Sequence, residues 1–170
     1  MGGSGSNQNP EEGQTSASQS PSVETGTRVR HILIVEDNKA DVTLIRKALR
    51  QANVSAELHE LDDGEKAIRF FERADADLES PCPDLILLDI NIPRYRGGEI
   101  LRRLRSSQRC GKALVLIVTS SDSERDRQEM YSLGANGYFR KPFEFAEYMK
   151  LGLLVRDLLA LGEDPSGPSV

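Results

Sequence analysis

From residue 31 onward, short apolar runs alternate with longer stretches in which apolar residues recur every three or four positions. HILIV (31–35) has the length and continuity of a buried strand, and KADVTLIRKALRQA (39–52) sets Val42, Ile45 and Leu49 on one helical face. SAELHEL (55–61) alternates like a strand with one wetter side, and GEKAIRFFERADA (64–76) returns to helical spacing. The same alternation gives a strand at 84–88, a helix at 97–107, a strand at 113–118, a helix at 123–134 and a short strand at 137–139. A long amphipathic helix is predicted from Phe143 to Ala160. Five strands alternating with five helices predict an α/β fold, a doubly wound parallel sheet with helices on both faces.

Residues 1–27 break this pattern: Gly, Ser, Gln and Pro dominate, and too little apolar surface is present to offset the entropy of ordering. The folded segment is therefore placed at 30–161, with a disordered tail at 1–29 and a flexible tail at 162–170. The formal charge of −5 is carried by the tails, which leave 22 basic and 22 acidic residues between 28 and 161. Such a balance argues against a nucleic-acid binder. No apolar run reaches secretory or membrane-spanning length, so a cytoplasmic protein is expected. Cys82 and Cys110 form no C-x-x-C pair and are expected as free thiols.

In doubly wound sheets ligands bind beyond the carboxyl ends of the strands. Glu36 and Asp37 follow the first strand, Asp89 and Asn91 the third, Thr119 and Ser120 the fourth, and Lys141 the fifth. Asp89 directly follows the apolar run LILL, where an unpaired carboxylate would be costly. Three carboxylates at one edge repel one another, and a divalent cation plus the Lys141 ammonium would balance them. A hard cation with oxygen ligands, Mg²⁺ by preference, suits this set, and Asp89 held between metal and lysine is a candidate nucleophile.

The stretches HILIVEDN, LILLDINIPRYRGG, LVLIVTSSDS and GANGYFRKPF resemble the receiver domain of two-component response regulators over about residues 31–160. Asp89 precedes Thr119 by 30 residues and Thr119 precedes Lys141 by 22, as in chemotaxis-type receivers. The resemblance implies a flavodoxin-like sheet of order 2-1-3-4-5, with Asp89 as phosphoacceptor from a histidine kinase or a small phosphodonor. It implies that Asp37 and the Asn91 carbonyl ligate Mg²⁺ beside Asp89, that Glu36 acts through a bound water, and that Lys141 pairs with Asp89 and then with phosphoryl oxygens. Thr119 and Tyr138 correspond to the hydroxyl and aromatic switch positions, and Pro142 is expected in cis. Such a domain is not an enzyme in the ordinary sense, since it catalyses only its own phosphotransfer and dephosphorylation.

Two positions depart from the commonest receiver pattern: Glu36 stands where Asp is frequent, and Arg96, near Arg94, where an acid often occurs. The stretch 94–112 holds seven basic residues against Glu99, which reads either as a docking surface or as a solvated helix face whose Arg stems cover apolar neighbours. His31 and His59 lie in predicted strands away from the acidic edge, where structural or surface roles are expected. VEDNKADVTLIRKAL (35–49) and the longer segment between the second helix and the third strand resemble single-domain regulators associated with phytochrome-type kinases. The resemblance therefore implies a phosphorylation-dependent signalling module, with no DNA-binding output domain and a homodimer through the last strand and helix. A phosphorelay shuttle and a phosphate-independent binding domain are the alternatives, while an aspartyl phosphatase is disfavoured by Asn91 in place of a second carboxylate.

Overall fold

The computed structural model describes residues 28–162. Its strands are β1 (His31–Val35), β2 (Glu57–Leu61), β3 (Leu85–Leu88), β4 (Leu114–Thr119) and β5 (Gly137–Arg140). Between and after them run α1 (Lys39–Gln51), α2 (Gly64–Ala76), α3 (Gly97–Ser106), α4 (Glu124–Ser132), α5 (Phe145–Tyr148) and α6 (Lys150–Leu161). All strands are parallel, in the order β2-β1-β3-β4-β5. The tails expected to be disordered lie outside the described residues.

Strand periodicity divides the core into two layers. Leu33, Val35, Ile86, Leu88, Val115 and Ile117 face α2, α3 and α4, meeting Phe71, Ile100, Leu101, Leu104 and Met130. Ile32, Ile34, Leu85, Leu87, Leu116 and Val118 face α1 and α6, meeting Ile45, Ala48, Leu49, Leu151, Val155 and Leu159. Because β1, β3 and β4 bury both faces, their sequences read as continuous apolar runs. Edge strand β2 is only partly buried, with Glu57 and Glu60 exposed.

Caps fix where the helices begin. The Asn38 side chain accepts from the Ala40 and Asp41 backbone N–H groups, Asp63 from Lys66, and Ser123 from Asp126. At the start of α3 the Glu99 carboxylate accepts the Arg96 N–H at 3.0 Å. Gly97 closes the loop after β3: a Cβ there would lie 2.7 Å from the Ile90 Cα, a distance only glycine tolerates.

The long last helix expected at 143–160 is instead interrupted at Met149. There the Gly152 N–H reaches the Met149 carbonyl at 3.1 Å, a tighter turn than an α-helix makes. The interruption coincides with backbone contact between helices, since a Cβ on Gly152 would sit 2.0 Å from the Ala48 carbonyl oxygen.

Three further expectations are corrected or refined. Cys82 and Cys110 are not free thiols but form a disulfide with Cα atoms 5.3 Å apart. Their 28-residue separation hides the contact, because β3 and α3 form an out-and-back excursion that returns the loop after α3 to the loop before β3. The Lys141–Pro142 bond is trans, there being no cis peptide among the described residues. The X-Pro preference is small enough that either isomer can be accommodated by its surroundings. Finally, the basic stretch 94–112 is not a uniform surface. Arg105 donates to the carbonyls of Gly111 (2.9 Å), Ala113 (2.7 Å) and Gly134 (2.6 Å), and Arg109 to those of Ala74, Asp77 and Ser80. These two side chains tie loops together.

Candidate functional site

The parallel topology brings the ends of β1, β3 and β5 to one edge. Asp89 follows β3 as a continuation of the sheet, its N–H donating to the Val35 carbonyl at 3.1 Å. Its Oδ1 accepts the Asn91 N–H at 2.9 Å, a turn that holds the carboxylate in place. Glu36 follows β1 and is buried, with Oε1 accepting the Asn38 N–H at 3.0 Å. Asp37 beside it is exposed. Candidate ligand oxygens of Glu36, Asp37 and Asp89 all lie within 4.8 Å of one another.

Lys141 enters this group from the end of β5. Its backbone N–H donates to the Thr119 carbonyl at 2.8 Å, which extends the β4–β5 ladder and aims the side chain across the edge. Nζ lies 2.6 Å from Glu36 Oε2, 2.9 Å from Asp41 Oδ2 and 3.0 Å from Asp89 Oδ2. Burial alone would push the Lys141 ammonium down, but the hydrogen bonds to Glu36 and Asp41 and the charge of Asp89 outweigh it and hold it above its usual value. Glu36 moves the other way from an ordinary paired acid: burial is the largest influence, and it is pushed up from 4.5 to about 7 despite the Lys141 bond.

Asp41 is the residue that sequence reasoning missed. It sits in the first turn of α1, and the only signal for it was position: four residues after Asp37, just inside a helix capped by Asn38. Acids are common in first turns because of the helix dipole, so that signal was not distinctive. Tyr148 was missed as well. Its hydroxyl is buried with no hydrogen-bond partner among the described residues, and burial, with Asp41 next in influence, holds its phenol above the usual value.

Thr119 is fully buried, with Oγ1 accepting the Ser121 N–H at 3.3 Å. Tyr138 is half-buried: its hydroxyl donates to the Ser121 carbonyl at 3.1 Å and its ring lies 5.3 Å from the Arg127 guanidinium. Both residues therefore hold the same β4–α4 loop. Asn91 is exposed, while His31 opens β1 at the far end from the acidic edge and meets His59 from the middle of β2.

A family model for the response regulator receiver domain matches residues 32–151. The chain belongs to the response regulator receiver family. Among curated proteins it is 34% identical over 120 residues to the response regulator Rcp1 of Synechocystis, covering 71% of this chain and 82% of Rcp1. It is 33% identical over 118 residues to the transcriptional regulatory protein PhoP of Escherichia coli, of which it spans only 48%. Among solved structures, the phosphorylated cyanobacterial phytochrome response regulator RcpA superposes with a TM-score of 0.71 at 29% identity, covering 82% of this chain and all of RcpA. The Mn²⁺-bound form of Rcp1 superposes with a TM-score of 0.69 at 31% identity over 82% of this chain and 99% of that one.

The receiver's acidic edge has the donor set of a hard divalent cation: three carboxylates from two strand ends, all oxygen, with one ammonium beside them. The residues present fit such an ion. Among the described residues, no helix is long and apolar enough to cross a membrane.

Proposed function

We propose that Asp89 accepts a phosphoryl group and that the domain signals through the change this produces. The observation that carries the reading is the position of Asp89, nearly buried at the sheet edge with Lys141 Nζ 3.0 Å from one carboxylate oxygen and the Asn91 N–H on the other. An aligned carboxylate attacks the donor's phosphorus, the bond from phosphorus to the donor's leaving group breaks, and an acyl phosphate forms on Asp89. Lys141 stabilises charge on the transferring oxygens, since phosphoryl transfer is dominated by positioning and electrostatics. Glu36, Asp37, Asp89 and the Asn91 carbonyl would hold Mg²⁺, Glu36 through water. When bound, the ion neutralises phosphoryl charge.

In the same reading Thr119 donates its hydroxyl to the new phosphate, giving up the Ser121 N–H. Tyr138, bonded to the carbonyl of that same Ser121, shifts with the loop and alters the surface formed by α4 and β5. The domain comprises residues 30–161 and receives its phosphoryl group in the cytoplasm from a histidine kinase, of phytochrome type by the chain's similarity to RcpA. Exposed Phe145 and Leu153 on α5 and α6 support self-association through the last strand and helices. Catalysis by the domain is confined to its own phosphorylation and dephosphorylation.

Intact mass after incubation with acetyl phosphate tests the reading. One phosphoryl adduct that requires both Mg²⁺ and Asp89, and disappears in Asp89→Asn, supports it. An adduct persisting in that variant, or no adduct from either a small donor or a cognate kinase, overturns it.

A further inference from the structure

The chain contains only two histidines, and the fold sets them in contact. Parallel pairing puts His31 of β1 opposite Glu57 of β2, and His59, two residues further along β2, projects from the same side as Glu57. His31 Nδ1 lies 3.0 Å from His59 Nε2 and 3.9 Å from Glu57 Oε2, with one candidate ligand atom from each residue lying within 4.8 Å of the others. We propose that His31, Glu57 and His59 form a binding site for a divalent transition-metal cation, with Zn²⁺ as its working ligand.

The local structure holds both rings in place without a metal. The His31 backbone is clamped on both sides by Asp84, whose carboxylate accepts the His31 N–H at 2.8 Å and whose N–H reaches the His31 carbonyl at 2.7 Å. The imidazoles stack at 5.3 Å between centroids, and Phe70 meets His59 edge-on at 5.5 Å. Only one hydrogen can occupy the line between the two facing nitrogens, so at least one of them presents a lone pair. A cation takes that position when the donating ring changes tautomer: its N–H bond at the facing nitrogen breaks, one forms on its other nitrogen, and metal–nitrogen bonds replace the hydrogen bond between the rings.

Chemistry separates this site from the acidic edge. Imidazole nitrogens with a single carboxylate favour Zn²⁺, Ni²⁺ or Cu²⁺, whereas an all-oxygen set favours Mg²⁺. At a usual metal–nitrogen distance of about 2.05 Å, nitrogens 3.0 Å apart subtend about 95° at the ion, and a small ring adjustment opens this toward tetrahedral. Glu57 is more than half exposed, so ions reach the site from solvent and water completes the coordination. His31 opens β1 and Glu36 follows its far end, which separates these two residues by about 16 Å at 3.3 Å per residue, with His59 in register with Leu33 between them.

The test is titration of the full oxidised chain with ZnCl₂ in a saturating Mg²⁺ background, followed by imidazole ¹⁵N chemical shifts and calorimetry. Both histidines should respond together at one equivalent of Zn²⁺, with a rise of several degrees in Tm at excess metal. His31→Gln should abolish the binding and Glu57→Gln weaken it about tenfold, while Asp37→Asn leaves it intact. Imidazole signals that do not move in the wild-type chain, or Zn²⁺ binding that survives His31→Gln and is lost in Asp37→Asn, would overturn the proposal and leave the pair as a packing contact.

Discussion

Lys141 Nζ bonds Asp41 Oδ2 at 2.9 Å, joining the end of the last strand to the first turn of the first helix across 100 residues of sequence. This contact gives Lys141 a carboxylate partner outside the Glu36, Asp37 and Asp89 group. Asp41 therefore anchors the lysine independently of its bond to Asp89.

Asp41→Asn keeps the shape of that contact and removes its charge. Stability should fall by about 1–2 kcal/mol, as for loss of one charge-assisted bond. Mg²⁺ affinity should change less than in Asp37→Asn, because Asp41 is not among the clustered ligand oxygens. Urea unfolding and Mg²⁺ titration of the two variants, side by side, check both statements.

Removing the ammonium is a larger change. Lys141→Met leaves Glu36, Asp41 and Asp89 facing one another, and breaking a buried ion pair on one side costs about 3–5 kcal/mol. The loss should deepen as pH rises and Glu36, held above the usual carboxylate range by burial, ionises, and added Mg²⁺ should recover part of it. Denaturation at pH 6 and pH 8, with and without Mg²⁺, provides the comparison.

Glu36 has its own pH signature. In the metal-free fold it keeps its proton up to about 7, while in the unfolded chain it loses it near 4.5. Between those values the native state binds more protons than the unfolded state, so Glu36 makes stability decline as pH rises, by at most about 1.4 kcal/mol per pH unit. Above about pH 7 its contribution is flat. Unfolding in EDTA across pH 5–8 should show this slope in the wild type and its reduction in Glu36→Gln.

The disulfide makes a separate prediction. It closes a loop of 28 residues, for which chain entropy gives a stabilisation of roughly 3–4 kcal/mol. Reduction, or Cys82→Ser, should lower the free energy of unfolding by an amount of that order, measured by urea denaturation. Alkylation followed by mass measurement should find no reactive thiol before reduction and two afterwards.

Much of the fold was legible because β1, β3 and β4 are buried on both faces and their apolar runs admit few other readings. Glu36, Asp89 and Lys141 were legible for a different reason: each stands one residue past a strand, and parallel pairing sends all strand ends to the same edge. Asp41 depends on the rotation of α1 about its axis, which the position of an acid in a first turn does not determine. Cys82 and Cys110 meet only because two loops flanking an excursion coincide, a relationship invisible to spacing rules. The break at Met149 coincides with Gly152 pressed against Ala48, a partner more than a hundred residues away that the helix's own spacing does not reveal.

That last contact also bears on how the sequence can drift. With no room for even a methyl group between α6 and α1, position 152 is closed to accepted substitution, and the register of the two helices is fixed with it. The outward faces of α5 and α6, with Phe145 and Leu153 exposed, carry no such restriction. Lineages that exchange one binding partner for another can therefore rewrite that outer surface residue by residue while the inner seam, and Asp41 at its far end, stays unchanged.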